Sequence, residues 1–512
     1  MKSKIYISII LAFSLENFCN AQSGTTDLTF GIQGQVTNEI YPTSTVLARA
    51  VMATSDRVYT FAQVTNPIAP PYDSYLKCFL LDGSIDASVG TNGIVTFPSF
   101  NGYDAAVSVD LGAIYSVGSS GLLGNGFVFR YDITTQVLSL DSIVSEPNHN
   151  YLPSKISPMD NGQLMVSGSY FDVLTNTHAY RLARLNDDLT LDTSYGQNGL
   201  VTMPLEMTSA TNSGGIYDME VDHLGNTYVL GNFSDTQVLN KINNQGVVDL
   251  SFTPAPEVDA SSPIRAYQDL TIALDNSLYI VPAQTTGNVP NYVIKLNNDG
   301  SLSTSFANNG IFSTQITEPG YFINFNNIVV QQDGDVIITA HYNSQSTVYA
   351  AGKYLIKLSE NGVPDVNFQS TANLFNYNNG SNYQLWLFNT ALQPDGKILC
   401  FDQVVNWISD VEVDLDVMLT RFNNEEFVKV EENFSNKWIT AYPNPTSDVL
   451  HFNFQNASSS PCFIKIFDST GKCVINEKLQ STSINVEHLQ SGFYNCEVQQ
   501  NNTSETLRFV KL

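Results

Sequence analysis

The chain has 512 residues, more than one hydrophobic core usually organises, so several domains or a repeat array with an accessory module is expected. Its 49 acidic against 23 basic residues give a formal net charge of −26, which excludes nucleic acid and anionic lipid faces as electrostatic partners. Apolar residues make up 43% and charged residues only 14%, with Asn, Gln, Ser and Thr filling surface positions, a balance that suits strands and turns.

Residues 1–21 read as a signal peptide: Lys2 and Lys4 charge its start, Ile5 to Leu15 form an apolar stretch, and Cys19-Asn20-Ala21 precedes a cut after Ala21. The apolar run is too short to span a bilayer, and no transmembrane segment is expected in the mature chain. Phe18 stands where a lipoprotein needs a small residue, which disfavours a lipid anchor. Cys78, Cys400, Cys462, Cys473 and Cys496 then remain, an odd set whose spacings match no metal motif. They are expected as free thiols packed like small apolar residues, with one bridge among the last three as the alternative.

A two-part pattern returns along residues 25–425. Its clearest copy begins with the apolar strand Tyr292 to Leu296, continues through the turn Asn297-Asn298-Asp299-Gly300, and reaches Ser305-Phe306 and Gly310-Ile311. A hairpin follows, Ile328 to Gln332, then Asp333-Gly334, then Asp335 to Ile338. Asp-Gly or Asn-Gly between β-branched runs supplies the positive φ that a two-residue hairpin turn needs. The aromatic-glycine steps Phe30-Gly31 and Tyr195-Gly196 are expected to pack between neighbouring units. Hairpins near Asp56, Asp110, Asp160, Asp222, Asp275, Asp333 and Asp395 give roughly seven units of about sixty residues. The chain starts mid-repeat at Asp27 to Gly31, and Val417 to Asn423 supplies the strand that the first unit lacks, so a closed ring is expected.

On these residues the middle region resembles the delta-sixty repeat family, with the best agreement at Leu296 to Gly310 and Gln393 to Ile398 and the loosest between Gly126 and Ser167. The resemblance implies a β-propeller. The expected fold is therefore all-β, a seven-bladed β-propeller followed by a small C-terminal β-sandwich of Ig-like type. The Asp-Gly turns read as hairpins and not as calcium loops, because no unit shows the alternating acidic ligands of an EF-hand. The acidic run Asp410 to Val417 reads as a solvated strand face, its successive carboxylates too far apart to share one ion.

Residues 426–440 read as a linker, and residues 441–512 as a separate module. In it Tyr442-Pro443-Asn444-Pro445 leads into the alternating strand Val449 to Phe454; Phe463 to Phe467 and Lys472 to Ile475 flank the turn Asp468-Ser469-Thr470-Gly471. Leu489, Gly492 and Tyr494 follow, and the chain closes on Val510 and Lys511. In type and order these motifs are similar to the type A C-terminal sorting domain of the type IX (Por) secretion system. The resemblance implies a Gram-negative source, recognition by an outer-membrane translocon and a surface sortase, and an extracellular or outer-membrane-surface location. It places cleavage between Glu425 and Tyr442.

The six histidines, His149, His178, His223, His341, His451 and His488, show no metal-ligand spacing and stand beside no nucleophile motif. No catalytic, metal or cofactor-binding residue is assigned, and no cofactor is called for. The first functional expectation is a non-catalytic propeller that binds an extracellular glycan or protein through loops such as Asn66 to Tyr75 and Asn343 to Lys353. The alternative is a secreted hydrolase or lyase whose funnel gathers carboxylates from different units. Several Asp, Glu or His side chains in one central pocket favour the alternative; apolar and amide groups favour binding.

Overall fold

The computed structural model describes residues 23–37, 45–65, 73–108, 111–120, 125–142, 149–175, 177–204, 216–233, 236–256, 258, 265–284, 291–314, 321–344, 351–368, 373–374, 382–409, 412–424, 439–442, 446–454, 462–467, 472–479, 482–490, 492–500 and 503–511. These contain strands and turns and no helix. The chain divides into two compact units, Met1–Val428 and Lys429–Leu512.

The described residues of the first unit form seven antiparallel sheets, here numbered I to VII. Their first strands are Thr45–Ala53, Phe100–Ser108, His149–Pro158, Ile216–Val221, Arg265–Ile272, Tyr321–Val330 and Asn382–Leu392. Each sheet then runs outward strand by strand in chain order to a fourth strand, except sheet IV, for which three strands are described, and sheet VII. Sheet VII takes its fourth strand from the other end of the repeat region: Gln35–Thr37 pairs with Glu412–Phe422, Val36 opposite Leu419. Each first strand lies against that of the next sheet, and that of sheet VII lies against that of sheet I. Packing face to face is what buries these sheets: one core joins Phe30, Val46 and Phe79 with Leu399, Phe401, Val417 and Leu419, and so bridges the start and end of the unit. The expected sharing of a sheet by the two ends of the repeat region is observed.

The turn chemistry explains why the repeat needs its particular residues. In sheet III, Arg184 on the third strand pairs with Asp192 at 2.8 Å and lies over the Tyr195 ring at 4.5 Å. Asp192 in turn accepts the Ser194 amide at 3.0 Å and its hydroxyl at 2.7 Å. The same set recurs with Lys241, Asp249, Phe252 and Ser251, and with Arg421, Asp27, Phe30 and Thr29. The aspartates of these Asp-x-Ser/Thr turns are thus anion partners of a cation that an aromatic ring shields on its other side. Burial pushes the Asp27 carboxyl up, but Lys397 at 2.8 Å, Thr29 and Arg421 outweigh it and hold it at about 2.

The aromatic-glycine step makes the contact between units. Phe30 and Tyr195 are fully buried. The Gly31 amide donates to the Asp82 carbonyl at 2.7 Å, and the Gly196 amide to the Gln245 carbonyl at 2.9 Å, each in the turn of the following sheet. At Gly31, φ is +53° and a Cβ would stand 2.2 Å from the Gln35 carbonyl, so only glycine fits.

In the second unit a three-stranded sheet, Ile439–Tyr442, Val449–Phe454 and Ser483–Asn485, and a four-stranded sheet, Cys473–Lys478, Cys462–Phe467, Gly492–Gln500 and Thr503–Lys511, contribute to one core around Leu450, Ile464, Ile466, Cys496 and Phe509. Its first strand begins at Ile439, ahead of residue 441 where the module was expected to start, because Ile439 is itself fully buried in that core. Among the described residues Cys78, Cys400, Cys462 and Cys496 are free and buried, and Cys473 is free and exposed.

A register irregularity interrupts every first strand of the seven sheets at the equivalent place, for instance between Gly102 and Asp104, Ile216 and Asp218, Tyr267 and Asp269, and Leu387 and Asn389. The extra residue turns the strand and exposes a backbone amide to the neighbouring sheet. At four of the junctions the residue just past the bulge then reaches over. Asp104 accepts the Ile156 amide at 3.1 Å, Asp218 that of Leu270 at 2.8 Å, Asp269 that of Ile328 at 2.6 Å, and Asn389 that of Val51 at 3.2 Å. The last of these links sheet VII to sheet I. Replacing Asn389→Leu keeps the volume but strands the Val51 amide, and is expected to cost about 1–3 kcal/mol in urea unfolding, whereas an unchanged midpoint contradicts this role.

Candidate functional site

The bulged first strands surround a cavity of about 450 Å³ to which all seven sheets contribute. Four carboxyl groups line it: Asp104 from sheet II, Asp218 and Glu220 from sheet IV, and Asp269 from sheet V. Two cations join them, Arg49 from sheet I and Lys155 from sheet III. Asp218 and Glu220 are two apart on one strand, so their side chains share its cavity face.

The charges are unevenly compensated. Lys155 Nζ lies 3.2 Å from Asp218 Oδ1, and Asp218, Asp104 and Asp269 together outweigh burial to raise its pKa. Arg49 donates to the Gln63 side-chain oxygen, and burial lowers its pKa. Burial pushes the Asp104 carboxyl up to about 6, Lys155 limiting the rise. Burial and then repulsion from Asp218 push Glu220 up to about 8, and the same two causes raise Asp269 well above the usual carboxylate range. Their side chains are only partly covered because they face the cavity, so water there weakens the burial effect without changing its direction.

Chemically the site sets two carboxyls side by side on one strand, one of them, Glu220, raised, a pairing suited to acid and base roles. It also meets the condition set for the hydrolase or lyase alternative, carboxylates from different units in one pocket. Three of the four carboxylates are however already spent on the next sheet's backbone, as acceptors of Ile156, Leu270 and Ile328. Among the described residues no three His, Cys, Asp or Glu side chains stand together as a metal site would need.

None of these carboxylates was singled out from the sequence. Asp218, Asp269, Asn327 and Asn389 each stand six positions before Leu224, Asp275, Asp333 and Asp395 at the hairpin turn, Lys155 stands six before Asn161, and Asp104 stands six before Asp110, which lies outside the described residues. That polar position at a constant offset was the available signal.

A second, larger cavity of about 750 Å³ lies among the turns of sheets III and IV, beside Asp160, Arg184, Asp192 and His223. His223 is 3.7 Å from Asp160 and contacts the Leu274 carbonyl at 3.3 Å. His341 stands elsewhere, on the second strand of sheet VI, where the bulge residue Asn326 accepts both its amide at 3.2 Å and its Nδ1–H at 2.5 Å. The side chains of His149 and His178 lie outside the described residues, while His451 and His488 are exposed in the second unit. Of the loop candidates Asn66 to Tyr75 and Asn343 to Lys353, residues 66–72 and 345–350 lie outside them, while residues 73–75, 343–344 and 351–353 lie on strands; Asp410 and Val411 of the acidic run also lie outside them. Val417 at the end of that run is buried, as expected.

Residues 440–512 match the secretion system C-terminal sorting domain. Within that module Leu489, Tyr494 and Lys511 are buried, Lys472 is exposed, and Gly492 opens a strand. Tyr442 and Val510 lie on strands; Pro443, Asn444, Pro445, Asp468 and Gly471, like Ala21 of the leader, lie outside the described residues. No curated protein matches the chain. Among solved structures it is similar to the β-propeller domain of the Trilobed protease from Pyrococcus furiosus, at 10% identity over 75% of this chain and 99% of that one with a TM-score of 0.41. It is similar also to the acylaminoacyl peptidase of Pyrococcus horikoshii, at 9% identity over 83% and 60% with a TM-score of 0.41. A third is prolyl oligopeptidase B from Galerina marginata, at 10% identity over 70% and 47% with a TM-score of 0.37, so the chain spans under half of that protein.

Burial holds the His341 imidazole down at about 4. The sign is that of a lowered base: the unfolded chain takes the proton first as pH falls below about 6.5, so stability is lost between there and pH 4. Ring nitrogen NMR is expected to show His341 neutral, with the proton on Nδ1, from pH 8 to pH 5; a midpoint near 6.5 contradicts the burial.

Proposed function

We propose that this protein is exported through the type IX secretion system, and that its first unit is a seven-bladed delta-sixty β-propeller working outside the cell as a non-catalytic binding or scaffold module for a glycan or protein. The observation that carries the export reading is the sorting-domain match over residues 440–512. In this reading residues 1–21 are a signal peptide cut after Ala21, 25–425 the propeller and 426–440 the linker. Residues 441–512 form an Ig-like sandwich that the translocon and sortase read through the Tyr442 to Pro445 opening, the Asp468 to Lys472 turn, the Leu489, Gly492 and Tyr494 step and the terminal Val510-Lys511. Burial of Leu489, Tyr494 and Lys511 supports a folded signal in place of an extended peptide one.

For the propeller, the binding reading is supported by the use of the cavity's aspartates as inter-sheet acceptors, which gives them a role without substrate. The hydrolase or lyase reading is favoured by one observation, the raised Glu220 beside Asp218. In that case Glu220 would act as general acid and Asp218, held by Lys155, as its partner carboxyl.

Deleting residues 438–512 is expected to leave the protein in the periplasm; the truncated chain at its normal level in the medium would refute the export reading. A glycan array probed with the intact secreted protein, repeated with Glu220→Gln, separates the two roles. Binding that survives the substitution, with no product released, supports the module; turnover that Glu220→Gln abolishes replaces it with the enzyme.

A further inference from the structure

The hub does more than fill the middle of the first unit. Its acceptors, Asp104, Asp218 and Asp269, are the same groups that meet one another and Glu220 around the cavity. Whatever changes the charge there therefore acts directly on the bonds that hold sheet II to III, IV to V and V to VI. The facing groups are few. Sheet I contributes Arg49, sheet II Tyr103 beside Asp104, and sheet III Lys155, while the side chains from sheets VI and VII are uncharged, among them Asn327, Asn389 and Thr390. Of the cations, Arg49 is engaged by Gln63, and Lys155 sits against Asp218.

We propose that this hub is a proton-loaded clasp: the inner strands are held most firmly while the carboxyl cluster keeps its protons, and the junctions of sheets IV, V and VI loosen as those protons leave. The physical reason is arithmetic of charge. Fully ionised, four carboxylates oppose two cations inside one cavity, and each lost proton adds a like charge among groups whose positions the backbone bonds fix. A protonated carboxyl still accepts an amide through its carbonyl oxygen, so protonation relieves repulsion without giving up the latch.

Glu220 and Asp104 are raised, to about 8 and about 6, and Asp269 is raised with them. The folded chain then binds more protons than the unfolded one across that range, so the stabilisation is complete below about 4 and is lost as pH rises through 6 to 8. Asp27 and Asp192, both held at about 2, act oppositely and only in strong acid. His341 is neutral above pH 6.5 and does not interfere there.

The test is thermal unfolding of the full chain at pH 6.5, 7.5 and 9 at constant ionic strength, for the natural sequence, Glu220→Gln, Asp269→Asn and Lys155→Met. The natural chain is expected to lose roughly 3 °C or more over this range, Glu220→Gln and Asp269→Asn to flatten the loss, and Lys155→Met, which removes a cation facing the cluster, to steepen it. A melting temperature that is level or rises with pH, or a loss that Glu220→Gln and Asp269→Asn leave unchanged, overturns the proposal. Should the variants not fold, carboxyl-carbon NMR of the natural protein decides. A signal assigned to Glu220 or Asp269 that titrates between pH 6 and 9 upholds the clasp, and neither doing so refutes it; Asp402, outside the cluster, is lifted to about 6 by burial and does not count.

Discussion

A sheet that is apolar on both faces cannot stand alone in water, and every other feature of the first unit answers that constraint. Each of the seven sheets covers its neighbour, and the only way to leave none uncovered is for the last to cover the first. The ends of the repeat region meet that requirement with strong chemistry. Asp27, near the start, receives Arg421 at 2.9 Å and Lys397 at 2.8 Å from the far end, and Arg421 also lies over the Phe30 ring and reaches the Leu81 carbonyl. Gln403 adds a second link, donating to the Val46 carbonyl at 2.6 Å and accepting the Ala48 amide at 3.1 Å.

The same logic places the cavity. Bulges turn the first strands, and at four junctions a backbone amide of one sheet is met by a short polar side chain of its neighbour, since a buried amide without a partner is costly. Aspartate and asparagine fit the distance. Using aspartate at three junctions gathers negative charge at the centre, and Lys155 and Arg49 offset only part of it. The site is thus first a consequence of how the sheets are joined, and its chemistry, whether for binding or for catalysis, is superimposed on that framework. A buried pair further out, Lys353 with Asp402, joins sheets VI and VII, and there burial lifts the Asp402 carboxyl to about 6 against the pull of Lys353.

Much of this was legible in the chain. Asp-Gly turns between β-branched runs gave the hairpins, and the partial unit at Asp27 to Gly31 with its complement at Val417 to Asn423 gave the shared sheet. Phe30 and Tyr195 were placed correctly because an aromatic before a glycine has few other uses in a turn. The clasp of Arg184, Asp192 and Ser194 was less visible: arginine and aspartate are eight residues apart, and only the fold shows that the turn returns one to the other. The cavity carboxylates were missed for a plainer reason. Asp104, Asp218, Asp269 and Asn389 sit within strands of mixed apolar and polar residues, where a polar residue reads as the solvent-facing half of an alternating pattern; that it faces a centre shared by seven strands is a property of the assembled sheets.

The central claim is that the two ends of the repeat region are joined by a buried charged clasp, and a double-mutant cycle between Asp27 and Arg421, 394 residues apart, measures it most directly. With Asp27→Asn, Arg421→Met and the pair compared by urea unfolding, the account predicts a coupling of about 2 kcal/mol or more. Strictly additive losses would show that the two residues do not hold the ends together.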